Sequence, residues 1–276
     1  MARQVGNDGD INRLNETTHY AGATDFEVNF VMVVKFNDVA IVRVVIKIWN
    51  RPCLLLPRRV SHTLPPPDAI VPYLDEAGFS DTMPLRNFIF DNSLISALVE
   101  QRRLETHRFY LSWDEVTITL QDVVYHLGLR AHGNPVGGCL CDFGRWYAKE
   151  TWVLVEQLLG ARPPVAAHQA TQRKESFTLK LVWLRNRVRQ MPQTDDPETL
   201  RQYAKCYIML LIEGYLMTDK SNNLVHLRWL PLLRDFAECK AFSWGSAVLA
   251  WTYQSLSLVA QRGVTDIAGC TPLLMS

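Results

Sequence analysis

An excess of charge of either sign is missing from this chain: 29 lysines and arginines face 28 aspartates and glutamates, a net charge of +1. No global field therefore draws it to nucleic acid or to an anionic membrane, and any such binding needs a local patch. Phosphate-cradling loops are missing too. There is no Gly-x-Gly-x-x-Gly behind a strand and no Gly-x-x-x-x-Gly-Lys-Ser/Thr, which sets aside the common nucleotide folds. The run Gly133 to Gly138 lacks the lysine and a clear helix start behind it. No Gly-x-Ser-x-Gly elbow and no cysteine-protease signature occurs, so neither familiar nucleophile arrangement is legible. The cysteines at 53, 139, 141, 206, 239 and 270 are scattered, unlike a disulfide framework. With a polar stretch from Arg3 to Asn15 in place of a signal peptide, a reducing compartment, cytosol or nucleus, is expected.

What the chain does have is apolar mass. Hydrophobic residues at 48% and 8 tryptophans suffice for a sizeable core in one large domain or two small ones. Residues 1–53 read as an irregular N-terminal segment, of which 1–27 are polar, without periodicity and expected to be disordered. Val28 to Trp49 is dense in valine and isoleucine and broken at Phe36-Asn37-Asp38, which predicts a β-hairpin. Lys35, Asp38, Arg43 and Lys47 fall inside it and argue against a membrane-spanning helix. The proline-rich stretch Cys53 to Pro72 reads as an extended connector.

The most legible stretch is Phe109 to Leu129. Phe109, Leu111 and Trp113, then Val116 and Ile118, alternate with polar neighbours, which predicts two short strands around a turn at Trp113–Glu115. The period then lengthens: Leu120, Val123, Val124 and Leu127 lie at helical spacing. Thr119 is placed to cap that helix, Asp122 to reach back to its positive end, and Gly128 to end it in a left-handed conformation.

Elsewhere the pattern is mainly helical. Helices are expected from Ala69 to Gly78, from Leu94 to about Arg103 with Asn92 or Ser93 as cap, and from Gly144 to Gly160 with Trp146, Trp152, Val153, Val155 and Leu159 inward. Others are expected from Phe177 to Gln190, from Pro197 (capped by Asp195 or Asp196) to about Met217, from Leu227 to Cys239, and from Ser243 to Gln261. The Pro197 helix is apolar nearly all round and is expected to be central. Glu213 falls inside it, where a buried, unpaired carboxylate would cost several kcal/mol or take up a proton.

Few residues are arranged for chemistry. Cys139 and Cys141, with His126 and His132 nearby, form the one metal-like cluster, but the single-residue spacing and the lack of a second pair do not fit zinc. Asp114, Glu115 and Asp122 could form a carboxylate set, although turn and cap roles account for two of them. No catalytic, cofactor-binding or metal-binding residue is assigned, and no cofactor is expected. The best basic cluster is Arg185, Arg187 and Arg189, with Lys180 and Arg173-Lys174 before them; Lys180, Arg185 and Arg189 are the possible nucleic-acid contacts. Arg185 and Arg189 share one helix face, from which Arg187 points away, and the face reads either as a nucleic-acid contact or as a plain solvated surface.

Three runs together resemble the plant mobile domain family of MAIN and MAIN-like proteins: Phe109 to Leu129, Tyr215 to Asp235, and Ser243 to Tyr253. The resemblance covers about residues 54–276 and brings Glu115, Thr119, Asp122, Gly128, Trp244 and Gly245 forward as structural motif residues. It implies a single, mainly helical domain with a small β-hairpin before its central capped helix, preceded by an apolar insert at 28–50 with no counterpart in the family pattern. It implies a non-enzymatic nuclear protein linked to meristem maintenance, genome stability and transposon silencing, with protein or chromatin partners and no membrane contact. An enzyme-accessory or phosphatase-associated domain, or a transposon-encoded nucleic-acid-binding protein, is the alternative. The family's "aminotransferase-like" label is unsupported, since no lysine here has the surroundings of a pyridoxal phosphate site. Asp114 stands where the pattern has glycine, Arg102 and Leu104 stand near a tryptophan and a proline, and the chain stops at Ser276 where members continue, as a truncated and partly degenerate copy would.

Overall fold

A computed structural model of the protein describes residues 13–14, 17–18, 27–36, 39–49, 54–57, 64–103, 106–111, 114–137, 151–163, 177–219, 223–259 and 264–275. The fold is mainly α-helical with small sheets, as the periodicity predicts. The chain forms two compact units, one of Met1–Arg58, Ile89–Thr119 and Ala250–Ser276, the other of Arg59–Phe88 and Leu120–Leu249.

In the first unit, Glu27–Phe36 pairs antiparallel with Val39–Trp49, with a register shift between Val34 and Lys35. The Val/Ile-dense segment is thus a hairpin, as its composition and central turn predict. Within the stretch expected to be disordered, Arg13–Leu14 pairs with Thr17–Thr18. The proline-rich stretch is no plain connector: Leu56–Pro57 runs parallel to Asp266–Ile267, and the wholly buried Leu55 donates its N–H to Ser96 Oγ at 2.8 Å. Proline is tolerated at such an edge because the partnered groups lie on its neighbours.

Helix Asn92–Glu100 is shorter than expected and its cap is Asp91, whose carboxylate accepts from Ser93 and Leu94 N–H at 2.9 and 3.0 Å, in place of Asn92 or Ser93. Arg102–Arg103 leaves the helix to join a three-stranded antiparallel sheet with Arg108–Tyr110 and Glu115–Val116. His107, at φ 56°, turns the chain between the first two strands. Leu111 N–H to Asp114 O closes the next turn at 2.9 Å. Phe109 and Ile118 face inward, while Val116 is exposed.

The second unit is built around Pro197–Leu211. Asp196 accepts the Thr199 N–H at 2.9 Å and Pro197 opens the helix, the expected signature. Every residue from Tyr203 to Thr218 is buried, so the all-round apolar pattern does mark the centre. The helix ends in a π-helical turn, Ile212–Leu216. Leu181–Arg189 and Thr151–Leu159 pack against it. In Thr151–Leu159 the inward residues are Leu154, Val155, Leu158 and Leu159; Trp152 and Val153, expected inside, are exposed. The expected first half of that helix lies outside the described residues. Residues 178–180, expected to be helical, form a strand paired with Leu224–His226, because that distant partner supplies the backbone bonds. The expected helix from Leu227 to Cys239 divides at Arg234–Asp235 into a 3-10 helix, Leu227–Leu233, with Pro231 inside it, and the Asp235-capped helix Phe236–Ala241. No helix among the described residues is long and apolar enough to cross a membrane.

Candidate functional site

Within the second unit the motif runs meet at one junction. The loop after helix Leu120–Leu127 is sewn to the start of helix Trp244–Val259: Gly245 N–H donates to Arg130 O at 2.8 Å, Ser246 Oγ to Ala131 O at 2.6 Å, and Ser243 N–H and Oγ to Asn134 O at 2.8 and 3.0 Å. Asn134 N–H returns to Ala241 O at 2.9 Å. A Cβ on Gly245 would lie 3.1 Å from the carbonyl oxygens of Leu129 and Arg130, so any larger residue would push these backbones apart by a few tenths of an ångström. Gly128 is doubly required: its φ is +64°, and a Cβ there would fall 2.2 Å from Asp81 Cβ. Trp244 is buried beneath the junction, donating Nε1–H to Cys239 O at 2.9 Å and meeting Phe79 edge-on at 5.3 Å between centroids. Trp229 lies 6.4 Å from Trp244 and brings in the middle motif.

Trp229 in turn carries the most perturbed acid among the described residues. Its Nε1–H donates to Glu213 Oε1 at 2.6 Å, from a glutamate that is 4% exposed. His226 N–H lies 3.5 Å from the same oxygen, while Oε2 is buried with no hydrogen-bond partner among the described residues. Burial pushes the carboxyl up to about 7; the Trp229 hydrogen bond opposes this, Asp219 adds to it, and Arg228 and the His226 N–H draw it down. The buried acid that the sequence flags is therefore real, and the π-turn places it against the indole.

In the first unit, Arg102 is equally enclosed at 4% exposure. Its Nη2 is 2.7 Å from His107 Nδ1, which must accept and so carries no proton there; Nη1 donates to Ser257 Oγ at 3.3 Å, and the guanidinium sits 5.4 Å from the Tyr253 ring centroid. Burial lowers Arg102 to about 10, the Tyr253 hydroxyl partly offsetting it. Burial, then the Arg102 charge, lowers His107. Tyr253 OH donates to Ile118 O and shares a 2.7 Å hydrogen bond with Thr117 Oγ1.

Glu115 is exposed and held by the Tyr110 hydroxyl and by Arg108 at 2.9 Å, which keep its carboxyl below the ordinary range. Asp114 turns inward on its own backbone, its Oδ1 accepting Glu115 N–H at 2.7 Å. Thr119 immediately precedes helix Leu120–Leu127 and Asp122 lies in its first turn. The structure thus gives Glu115 and Asp122 different roles. Of the helix face predicted there, Val123 and Leu127 are buried and Leu120 and Val124 exposed. Cys139 and Cys141 lie outside the described residues; no metal-holding group of histidine, cysteine or acid occurs among those described. Cys206, Cys239 and Cys270 are buried, each thiol pushed up to about 12 by that burial.

The basic residues divide. Lys180 and Arg189 are exposed and Arg185 is half-buried. Arg187 does point away from them: its Nε–H donates to Leu159 O at 2.7 Å and its guanidinium covers the Tyr203 ring at 4.8 Å. Lys205, at 4% exposure on the central helix, is a functional candidate that the sequence pattern does not single out. Its one signal there is a lone cation in an otherwise apolar run.

The plant mobile domain model matches residues 78–275, which takes in the junction, Glu213, Arg102 and all three motif runs. The chain belongs to the plant mobile domain family. Three Arabidopsis thaliana proteins are similar to this plant mobile domain. The "Serine/threonine-protein phosphatase 7 long form homolog" is 42% identical over 67% of the chain and 13% of its own length. "Protein MAIN-LIKE 1" is 31% identical over 75% of the chain and 39% of its length. "Protein MAINTENANCE OF MERISTEMS" is 27% identical over 73% of the chain and 40% of its length. The chain therefore spans less than half of each of these relatives. No solved structure matches it.

Proposed function

We propose that this plant mobile domain works in the nucleus without catalysing a reaction, through contacts with protein or chromatin partners, in a role like meristem maintenance, genome stability or transposon silencing. Membership of the family that includes MAIN-LIKE 1 and MAINTENANCE OF MERISTEMS carries the reading. It is supported by how reactive side chains are used: the three described thiols are buried and raised, and Glu115 is engaged by Arg108 and Tyr110. The phosphatase in one relative's name belongs to a protein of which this chain spans 13%. Cross-linking followed by mass spectrometry on plant nuclei expressing the tagged chain tests the reading. Cross-links to chromatin-associated proteins are expected; cross-links confined to metabolic enzymes would contradict it.

A second reading is direct nucleic-acid binding, favoured by the exposure of Lys180 and Arg189 beside Arg185. Removing one phosphate-binding cation lowers the slope of log affinity against log salt by about 1. Arg185→Ala with Arg189→Ala is expected to flatten that slope by about 2 on this reading; an unchanged slope removes it.

A further inference from the structure

Helices Val71–Glu76, Thr151–Leu159, Pro197–Leu211 and Phe236–Ala241 of the second unit line a cleft of about 650 Å³. That is the size of a small-ligand site. Leu158, Phe236 and Lys205 are its buried members. The Lys205 ammonium stands 5.6 Å from the Phe236 ring centroid and makes no hydrogen bond or ion pair with any described residue.

No acid of the cleft comes within hydrogen-bond or ion-pair distance of that ammonium, although Glu198 and Asp235 lie close enough to favour its charged form. Glu76 is drawn to Arg201 at 3.8 Å, and Asp235 is committed to its helix cap, accepting the Glu238 N–H at 3.0 Å. Glu198 is exposed, about two turns back along the same helix. Arg201 and the exposed Arg234 add positive charge at the same wall. The Lys205 side chain is enclosed while its Nζ stays open to the cleft, so cleft water solvates the charge and an anion entering there can displace that water.

We propose that this cleft binds a small oxyanion, phosphate or carboxylate, that docks on Lys205 between Arg201 and Arg234. Burial holds the Lys205 amine below its ordinary value, with Glu198 and Asp235 pulling it up and Arg201 pulling it down. A docked oxyanion would sit in contact with the ammonium, closer than either acid, and favour its charged form further.

The test is calorimetric titration of the full chain, in chloride buffer at constant ionic strength, with phenyl phosphate, benzoate, inorganic phosphate and acetate. Saturable one-site binding of at least one of the four is expected; whether the phosphates or the carboxylates bind more tightly names the oxyanion. Lys205→Met is expected to weaken it at least tenfold, and Arg108→Ala, in the other unit, to leave it unchanged. Should Lys205→Met fail to fold, Arg234→Ala at the exposed rim decides, with a weakening of threefold or more expected. The proposal is overturned if none of the four anions binds saturably. It is equally overturned by undiminished binding in the folded Lys205→Met or the Arg234→Ala protein, which would mark an adventitious ion only.

Discussion

The indole of Trp229 donates to the buried carboxyl of Glu213 at 2.6 Å, joining the 3-10 helix of the middle motif to the π-turn that ends the central helix. Because the carboxyl is raised from 4.5 to about 7, the folded state holds its proton more tightly than the unfolded state does. Its contribution is full below about pH 4.5 and is lost as pH rises through 7, a loss on the order of 3 kcal/mol. Urea unfolding of the wild type is expected to show a lower midpoint at pH 8 than at pH 5. Glu213→Gln keeps an oxygen for the indole and removes the ionisation, so much of that difference is expected to vanish. An equal pH dependence in both proteins would show that another group governs it.

Gly128→Ala is expected to be severe. Alanine carries a cost of roughly 1 kcal/mol for the left-handed backbone, and its Cβ would also meet Asp81 Cβ at 2.2 Å. A loss of roughly 2–4 kcal/mol in thermal unfolding is expected. Gly137→Ala is the control, since nothing lies within 4 Å of a Cβ there, and its melting temperature is expected to stay put.

Whether a feature is legible in the sequence depends on whether its cause is local. Asp196-Pro197 and the long apolar run mark the central helix with local signals, and Gly128 marks a stop that its φ requires. The exchange of helix for strand at Thr178–Lys180 has its cause in Leu224–His226, and no window around 178 contains it. Leu55 is buried because Ser96 and the strand at Asp266 come to it. Asp91 caps the helix although Asn92 is also a good capping residue: Asp91 is the last residue with extended backbone, and its side chain accepts from Ser93 and Leu94 N–H. The cleft draws its charges from two helices and the Arg234–Asp235 junction, far apart in the chain, so in the sequence Lys205 is only an isolated irregularity.

Trp244→Phe is expected to cost roughly 2–4 kcal/mol, through reduced volume and an orphaned Cys239 carbonyl beneath the motif junction. Trp152→Phe, at a residue 38% exposed, is expected to cost under about 1 kcal/mol. Equal losses from the two would contradict the assignment of inward faces. Chemical denaturation of both variants measures this.

Tyr253→Phe removes the hydroxyl that Ile118 O and Thr117 Oγ1 share. A loss of about 1–2 kcal/mol is expected. Faster hydrogen exchange at residues 115–118 should accompany it, whereas exchange in Pro197–Leu211 should be unaffected because that helix belongs to the other unit.

A nuclear protein that works by holding partners should stay with chromatin until the chromatin itself is cut. Nuclease release is therefore the decisive experiment: plant nuclei containing the tagged chain are isolated, washed at moderate salt and digested. The protein is expected in the washed nuclear pellet and then in the material released by digestion. Recovery in the cytosolic fraction alone would refute the nuclear, partner-holding role.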